Sequence, residues 1–179
     1  LTDPGRLKDE VEQMVRWGKL IRKYGATVSV MGPNGVRRES YDFAAAKPNI
    51  VNALNEVAKA LADAGLTAVM HQHTRTCVET QEETYAVMEA VDSRYVKFSP
   101  DIGQLQKGGA DPVKVVKDFL PLVQHMHLKD FNGGQYFVGY CPLGQGKVNI
   151  PAILDMLEGR TLAGLPMVEL DGGFNMPMT

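Results

Sequence analysis

Apolar positions recur along this chain at two different spacings, and segments of the two kinds alternate. Leu7, Val11, Met14, Val15 and Ile21 fall at helical spacing and predict a helix over residues 4–24. Asp3-Pro4 supplies its cap and first-turn proline, and Gly25 stops it. Residues 27–31, rich in β-branched side chains, predict a short strand, and Gly32-Pro33-Asn34-Gly35 opens a polar loop reaching Ser40. A second helix is expected after Pro48, with Ile50, Val51, Leu54, Val57, Ala58 and Leu61 as its apolar stripe and Gly65 as its end. Residues 66–70 read as a strand running into His71-Gln72-His73. Thr80-Gln81-Glu82-Glu83 has the form of a capping box for a helix through Val91. Residues 95–99 are a strand leading to Pro100-Asp101. Asp111-Pro112 caps a helix carrying Val115, Val116 and Phe119. Residues 122–128 are a strand, 132–146 a long Gly-rich loop, 150–157 a helix and 165–170 the last strand.

The resulting order is αβαβαβαβαβ, with no hairpin signal. Successive strands start roughly 27 to 43 residues apart, the size of a βα unit with variable loops. Strict alternation predicts a parallel sheet covered by helices. Two architectures satisfy it: a doubly wound open sheet, or part of a (β/α)8 barrel. No GxGxxG follows the first strand and there is no P-loop, so the nucleotide-binding open sheet loses its usual support.

The polar residues choose between the two. His71 and His73 stand at the end of one strand, Asp101 at the end of the next, His127 near the end of the one after, and Glu169 at the end of the last. Barrels build their active sites at that rim, one or two residues per strand. Imidazole and carboxylate ligands in this mixture suit Mn²⁺, Mg²⁺, Co²⁺ or Zn²⁺. Each residue also has an ordinary reading. Asp101 alone would be a helix cap, and His71 or His73 alone a loop histidine. His125 and His127 share one strand face, which is harder to dismiss. Glu169 lies in a buried-looking strand, where an unpartnered carboxylate is costly and a cation is a natural partner.

Bulk properties remove other classes. The chain has 179 residues and a net charge of −2, so no basic surface recommends a nucleic-acid partner. Its apolar runs are too short to span a membrane. Cys77 and Cys141 have no CxxC spacing, which argues against a disulfide framework or a cysteine zinc site. A cytoplasmic location is expected, with an upstream targeting peptide left open because the chain starts at Leu1 inside a helix-like segment. Homo-oligomer formation is also left open.

Four segments carry a family resemblance. His125-Met126-His127-Leu128-Lys129-Asp130 resembles the HxHLKD strand end of the xylose isomerase-like barrel superfamily. Asp101-Ile102-Gly103-Gln104 resembles its D-x-x-H segment, residues 142–149 its P-x-G-x-G-x-V-D loop, and residues 167–171 its terminal V-E-x strand. All four stand in matching order across residues 66–171. The resemblance implies an α/β, (β/α)8 TIM barrel, of which this chain supplies the last five βα units as one partial domain over residues 1–179. It implies a divalent metal held by Asp101, His127 and Glu169, with the fourth ligand in His71-Gln72-His73. His71 is the expected ligand and His73 the residue that contacts substrate or moves a proton, with the two roles open to exchange. The pattern departs from the family twice. His-x-His replaces E-N-H, as in the inosose dehydratase branch, and Gln104 replaces a His that could shuttle a proton.

The implied activity is proton transfer beside a carbonyl of a keto-sugar, sugar phosphate or cyclitol, as in the isomerases and epimerases. Glu169, His73 and Lys129 are the catalytic candidates; Gln104, Arg75 and His125 are the substrate-binding ones. A dehydratase acting on a keto-cyclitol and a metal-free, sugar-binding barrel are the alternatives. The loop 132–146 is a candidate lid.

Overall fold

The computed structural model describes residues 2–171. A one-turn 3₁₀ segment, Pro4–Arg6, leads into α1, Leu7–Lys23. There follow β1, Val28–Met31; α2, Phe43–Asp63; β2, Thr67–Met70; α3, Gln81–Met88; and β3, Val96–Phe98. After them come α4, Ile102–Lys107; α5, Pro112–Asp118; β4, His127–Leu128; β5, Asp130–Phe131; β6, Tyr140–Cys141; α6, Ile150–Leu157; and β7, Met167–Val168.

Strands β1, β2 and β3 pair in parallel in that order, and β4 pairs in parallel with β7. Parallel bridges Phe98↔Val123 and Asp101↔His127 join β3 to the β4 segment. The parallel strands therefore follow each other in space as they do in sequence, from β1 to β7. A doubly wound sheet reverses its order at a switch point; a barrel wall does not. This wall is barrel-like. The outer edges of β1 and β7 have no strand partner among the described residues. The segments leading into them touch: Thr27 Oγ1 donates to the Ala163 carbonyl at 2.6 Å, and Gly164 packs against Val28.

Alternation along the strands sorts the side chains. Ala68, Met70, Val96 and Phe98 point outward into a core with Ile50, Leu54, Val57 and Leu61 of α2, Val87 and Met88 of α3, Val115 and Val116 of α5, and Ile153 of α6. The alternate positions, including Val69, Ser99 and the strand-end histidines, face inward.

Several boundaries differ from expectation. Helix α2 begins at Phe43 rather than after Pro48, so the proline lies inside it. An interior proline costs about 3 kcal/mol. The Asp42 side chain caps Ala45 N at 3.0 Å. Beyond Pro48, the buried Ile50, Leu54, Val57 and Leu61 stabilise the helix by about 1.5–3 kcal/mol each. Together these outweigh the lost bond. Helix α4 was not expected: it has six residues, with Gly103 inside and Gly108-Gly109 beyond. The expected absence of hairpins is corrected by the antiparallel pair β5–β6, whose two-residue strands are too short to leave an alternation in the sequence. The capping box at Thr80 and Glu83 is present.

Asp130 anchors the Gly-rich loop. Its buried carboxylate accepts from Phe131 N (2.9 Å), Gly144 N (3.0 Å), Gly146 N (2.8 Å) and Val148 N (3.2 Å). A side chain at Gly146 would overlap Asp130 Oδ1. Gly146→Ala should therefore break this clasp and lower stability by about 1–3 kcal/mol. The check is a lower Tm with faster proteolytic cutting inside residues 132–146; a parental Tm and an uncut loop would contradict the role given to Asp130.

Candidate metal centre

Three strand ends bring His71, Asp101 and His127 together. Their ligand atoms all lie within 4.8 Å of one another. His71 Nε2 is 4.0 Å from Asp101 Oδ2, and His127 Nδ1 is 3.8 Å from the same oxygen. Bonds of about 2.0–2.2 Å to one cation leave neighbouring ligand atoms about 3–4 Å apart, so the spacing fits.

The donor chemistry fits as well. His71 Nδ1 lies 3.2 Å from the Ser99 carbonyl, which can only accept, so that nitrogen carries the proton and Nε2 keeps its lone pair. Burial lowers the His71 pKa to about 4, so the ring is neutral as a ligand must be. Asp101 is fully buried. Its two oxygens have separate tasks. Oδ1 accepts from Gln104 N at 2.9 Å and caps α4, while Oδ2 faces the histidines. No hydrogen-bond donor is aligned on Oδ2; its 2.8 Å contact with Lys129 Nζ is a charge pair. A buried carboxylate oxygen in that state fits a cation partner. Burial pushes the Asp101 pKa up, but His127, Lys129 and the Gln104 N–H outweigh it and hold the group ionised.

Glu169 borders the trio. Its Oε2 is 2.8 Å from His127 Nδ1 and 2.8 Å from Lys129 Nζ, and its side chain is 37% exposed. Asp101 and Glu169 together raise the His127 pKa above its ordinary value, against the effect of burial. Lys129 is wholly buried. Its ammonium reaches Asp101, Glu169 and Asp171, each at 2.8 Å. Burial alone would lower its pKa, yet these carboxylates raise it. Gly103 lets the lysine stem pass: a Cβ there would lie 2.7 Å from Lys129 Cγ.

A pocket of about 220 Å³ opens beside the centre, lined in part by His73, Arg75, Gln104 and Asp171. Gln104 is almost fully buried and uses its whole amide. Its Oε1 accepts from Thr74 N (3.2 Å) and Thr74 Oγ1 (2.7 Å), and its Nε2 meets Asp171 Oδ2 and His73 Nε2, both at 2.7 Å. His73 Nδ1 lies 2.8 Å from the Thr74 carbonyl. The ring is thereby fixed with its proton on Nδ1 and its lone pair on Nε2. His125 lies one layer deeper, its ring 5.4 Å from that of His127 and its Nδ1 without a partner; it does not line the pocket.

The residues singled out in the sequence thus fall into a trio able to hold a metal ion with Glu169 at its border, a buried lysine, a pocket wall of His73, Arg75 and Gln104, and a deeper His125. Asp171 and Tyr140 were not singled out. Asp171 stands two residues after Glu169, so strand periodicity alone could have placed it on the same face. Tyr140 reaches the site only through the β5–β6 pairing, which left no trace in the sequence. Among the described residues no helix is long and apolar enough to cross a membrane.

Comparison with known proteins agrees with this fold. A curated relative, an inosose dehydratase from Clostridium botulinum (strain Alaska E43 / Type E3), is 28% identical over 137 residues, 68% of this chain and 46% of the relative. The chain therefore spans about half the length of the curated relatives it matches. Among solved structures, the probable 3-DHS dehydratase AsbF of Bacillus anthracis superposes with a TM-score of 0.77 at 18% identity, over 94% of this chain and 65% of that one. IolI protein with a bound zinc atom superposes with a TM-score of 0.76 at 18% identity, over 94% and 62%. The family model described as xylose isomerase-like TIM barrel matches residues 1–173. By that match and by its strand order, the chain belongs to the xylose isomerase-like TIM barrel family.

Proposed function

We propose that this chain carries the catalytic centre of a divalent-metal-dependent enzyme that removes a proton from the carbon beside a carbonyl of a sugar or cyclitol. The clustering of His71 Nε2 and His127 Nδ1 about Asp101 Oδ2, at 4.0 and 3.8 Å, is the observation that carries this reading. These three atoms would hold the metal, with Glu169 Oε2 beside them. A cation bound there supplies Lewis acidity toward a carbonyl oxygen.

The side chains supply the rest. Glu169 is the base: burial raises its pKa, but Lys129 and His127 lower it further, so it is ionised at neutral pH. Lys129 Nζ offers positive charge to the oxyanion that develops as the proton leaves. Gln104 and the Thr74 carbonyl orient His73 at the pocket wall.

Dehydration is the favoured outcome. Of the three carboxylates around Lys129, Asp101 is fully buried and Asp171 is held by Lys129 and Gln104; Glu169, paired through Oε2 with Lys129 and His127, is the most exposed of the three and is the base. One carboxylate suffices for loss of water: the proton taken by Glu169 passes to the hydroxyl on the next carbon as that group departs. The relatives named inosose dehydratase point the same way. Isomerisation or epimerisation needs a second proton carrier, and His73 is the side chain in place for it. A sugar-binding barrel without catalysis is the third reading.

The test incubates the protein with Mn²⁺ in D₂O, in turn with a keto-cyclitol and a ketohexose. The expected result is an unsaturated, UV-absorbing product from the cyclitol. Deuterium entering a recovered ketohexose epimer would instead favour isomerisation. Glu169→Gln should cut the rate by at least about 100-fold, the usual scale of general-base catalysis, with Tm nearly unchanged. An unaltered rate in this variant would remove Glu169 as the base.

A further inference from the structure

The pocket beside the centre has an electrostatic character that enolisation does not require. Arg75 and Lys107 both line it, along with Tyr140 and Asp171. The two cations are close enough for Arg75 to depress Lys107, whose pKa falls first through burial and then through that neighbour. Neither has an ion-pair partner among the described residues. The nearest candidate for Arg75, Glu79, is committed elsewhere: its Oε2 lies 3.3 Å from Arg38 Nε and accepts from Arg75 N at 2.7 Å. Lys107 Nζ donates to the Val138 carbonyl at 2.9 Å and lies 4.6 Å from the centre of the Tyr140 ring, which leaves ammonium protons free. Asp171, the one acid in the wall, has its charge met by Lys129 Nζ at 2.8 Å.

One further observation points to a ligand. Arg75 sits at φ +64°, a left-handed conformation that glycine adopts at no steric cost. It is held there by Val36 N donating to its carbonyl at 3.1 Å and by its own N–H on Glu79. Strain kept at a pocket wall by a residue with a long charged side chain is the usual mark of a functional position.

We propose that the substrate carries an anionic group, a carboxylate or a phosphate, received by Arg75 and Lys107 while the carbonyl end meets the metal centre. Arg75 gives the planar fork that suits either oxyanion, and Lys107 gives a point charge. The pocket, at about 220 Å³, has room for one such group. This inference rests on the proposed function for its carbonyl end only; the anion subsite is separate.

Calorimetric titration of the whole protein with Mn²⁺ present tests it, using 2-ketogluconate, fructose 6-phosphate and the neutral 2-keto-myo-inositol as probes. At least one charged probe should bind tenfold or more tightly than the neutral one, and whichever does so identifies carboxylate or phosphate. Lys107→Met and Arg75→Gly should each remove that preference, bringing charged-probe affinity to within about twofold of the neutral probe's. Arg75→Gly also relieves the backbone strain, so its Tm should equal or exceed that of the parent, which separates lost charge from lost fold. Equal binding of all three probes, or a charged-probe affinity indifferent to both substitutions, overturns the proposal. The control is Asp101→Asn. An anion preference that survives there without turnover supports the subsite even if enolisation fails. Turnover of the neutral cyclitol with no preference for either charged probe in binding upholds enolisation and refutes the subsite.

Discussion

A buried carboxylate with one oxygen spent on a helix cap and the other turned toward two histidines and a lysine is the constraint on which this site depends. Asp101 Oδ1 closes the first turn of α4, which fixes the side chain's orientation. Oδ2 is thereby forced toward the inside of the wall, where His71 and His127 arrive from the adjacent strands. Glu169 and Asp171 add further negative charge within reach of the same lysine. Gathering three carboxylates around a nearly dry point is unfavourable without compensating positive charge. The single ammonium of Lys129 meets part of that need, and the arrangement is poised for more.

The same constraint explains much of the local construction. Gly103 lacks a side chain because the stem of Lys129 occupies that space. Gln104 saturates its amide and so holds Asp171 and His73 in fixed orientations. Asp130, one residue beyond Lys129, turns away from the centre and gathers the backbone of the Gly-rich loop. Adjacent positions in one short strand segment thus serve chemistry and anchoring by pointing in opposite directions.

The wall of parallel strands and the rim residues were legible in the sequence because parallel βα units convert strand-end positions into one shared surface. His71, Asp101, His127 and Glu169 are each separated by a whole βα unit or more, and only that topology makes them neighbours. The choice between cap and ligand for Asp101 could not be resolved from sequence; the structure shows the cap through Oδ1 and turns Oδ2 toward His71 and His127. What escaped depends on pairings without a periodic signature. Helix α4 is short and interrupted by Gly103. The β5–β6 hairpin has two residues per strand, so neither Tyr140 nor the approach of Lys107 to the pocket could be foreseen. The proline within α2 was misread because local propensity there yields to burial of four large apolar side chains.

The account stands or falls on whether those side chains share a cation. Crystals of the protein grown with Mn²⁺ or Zn²⁺ and measured at the metal's absorption edge would decide it. The predicted result is one anomalous peak about 2.0–2.2 Å from His71 Nε2, Asp101 Oδ2 and His127 Nδ1. The contradicting result is no peak there, with Lys129 Nζ still paired to Asp101 Oδ2 and the two histidines directed elsewhere.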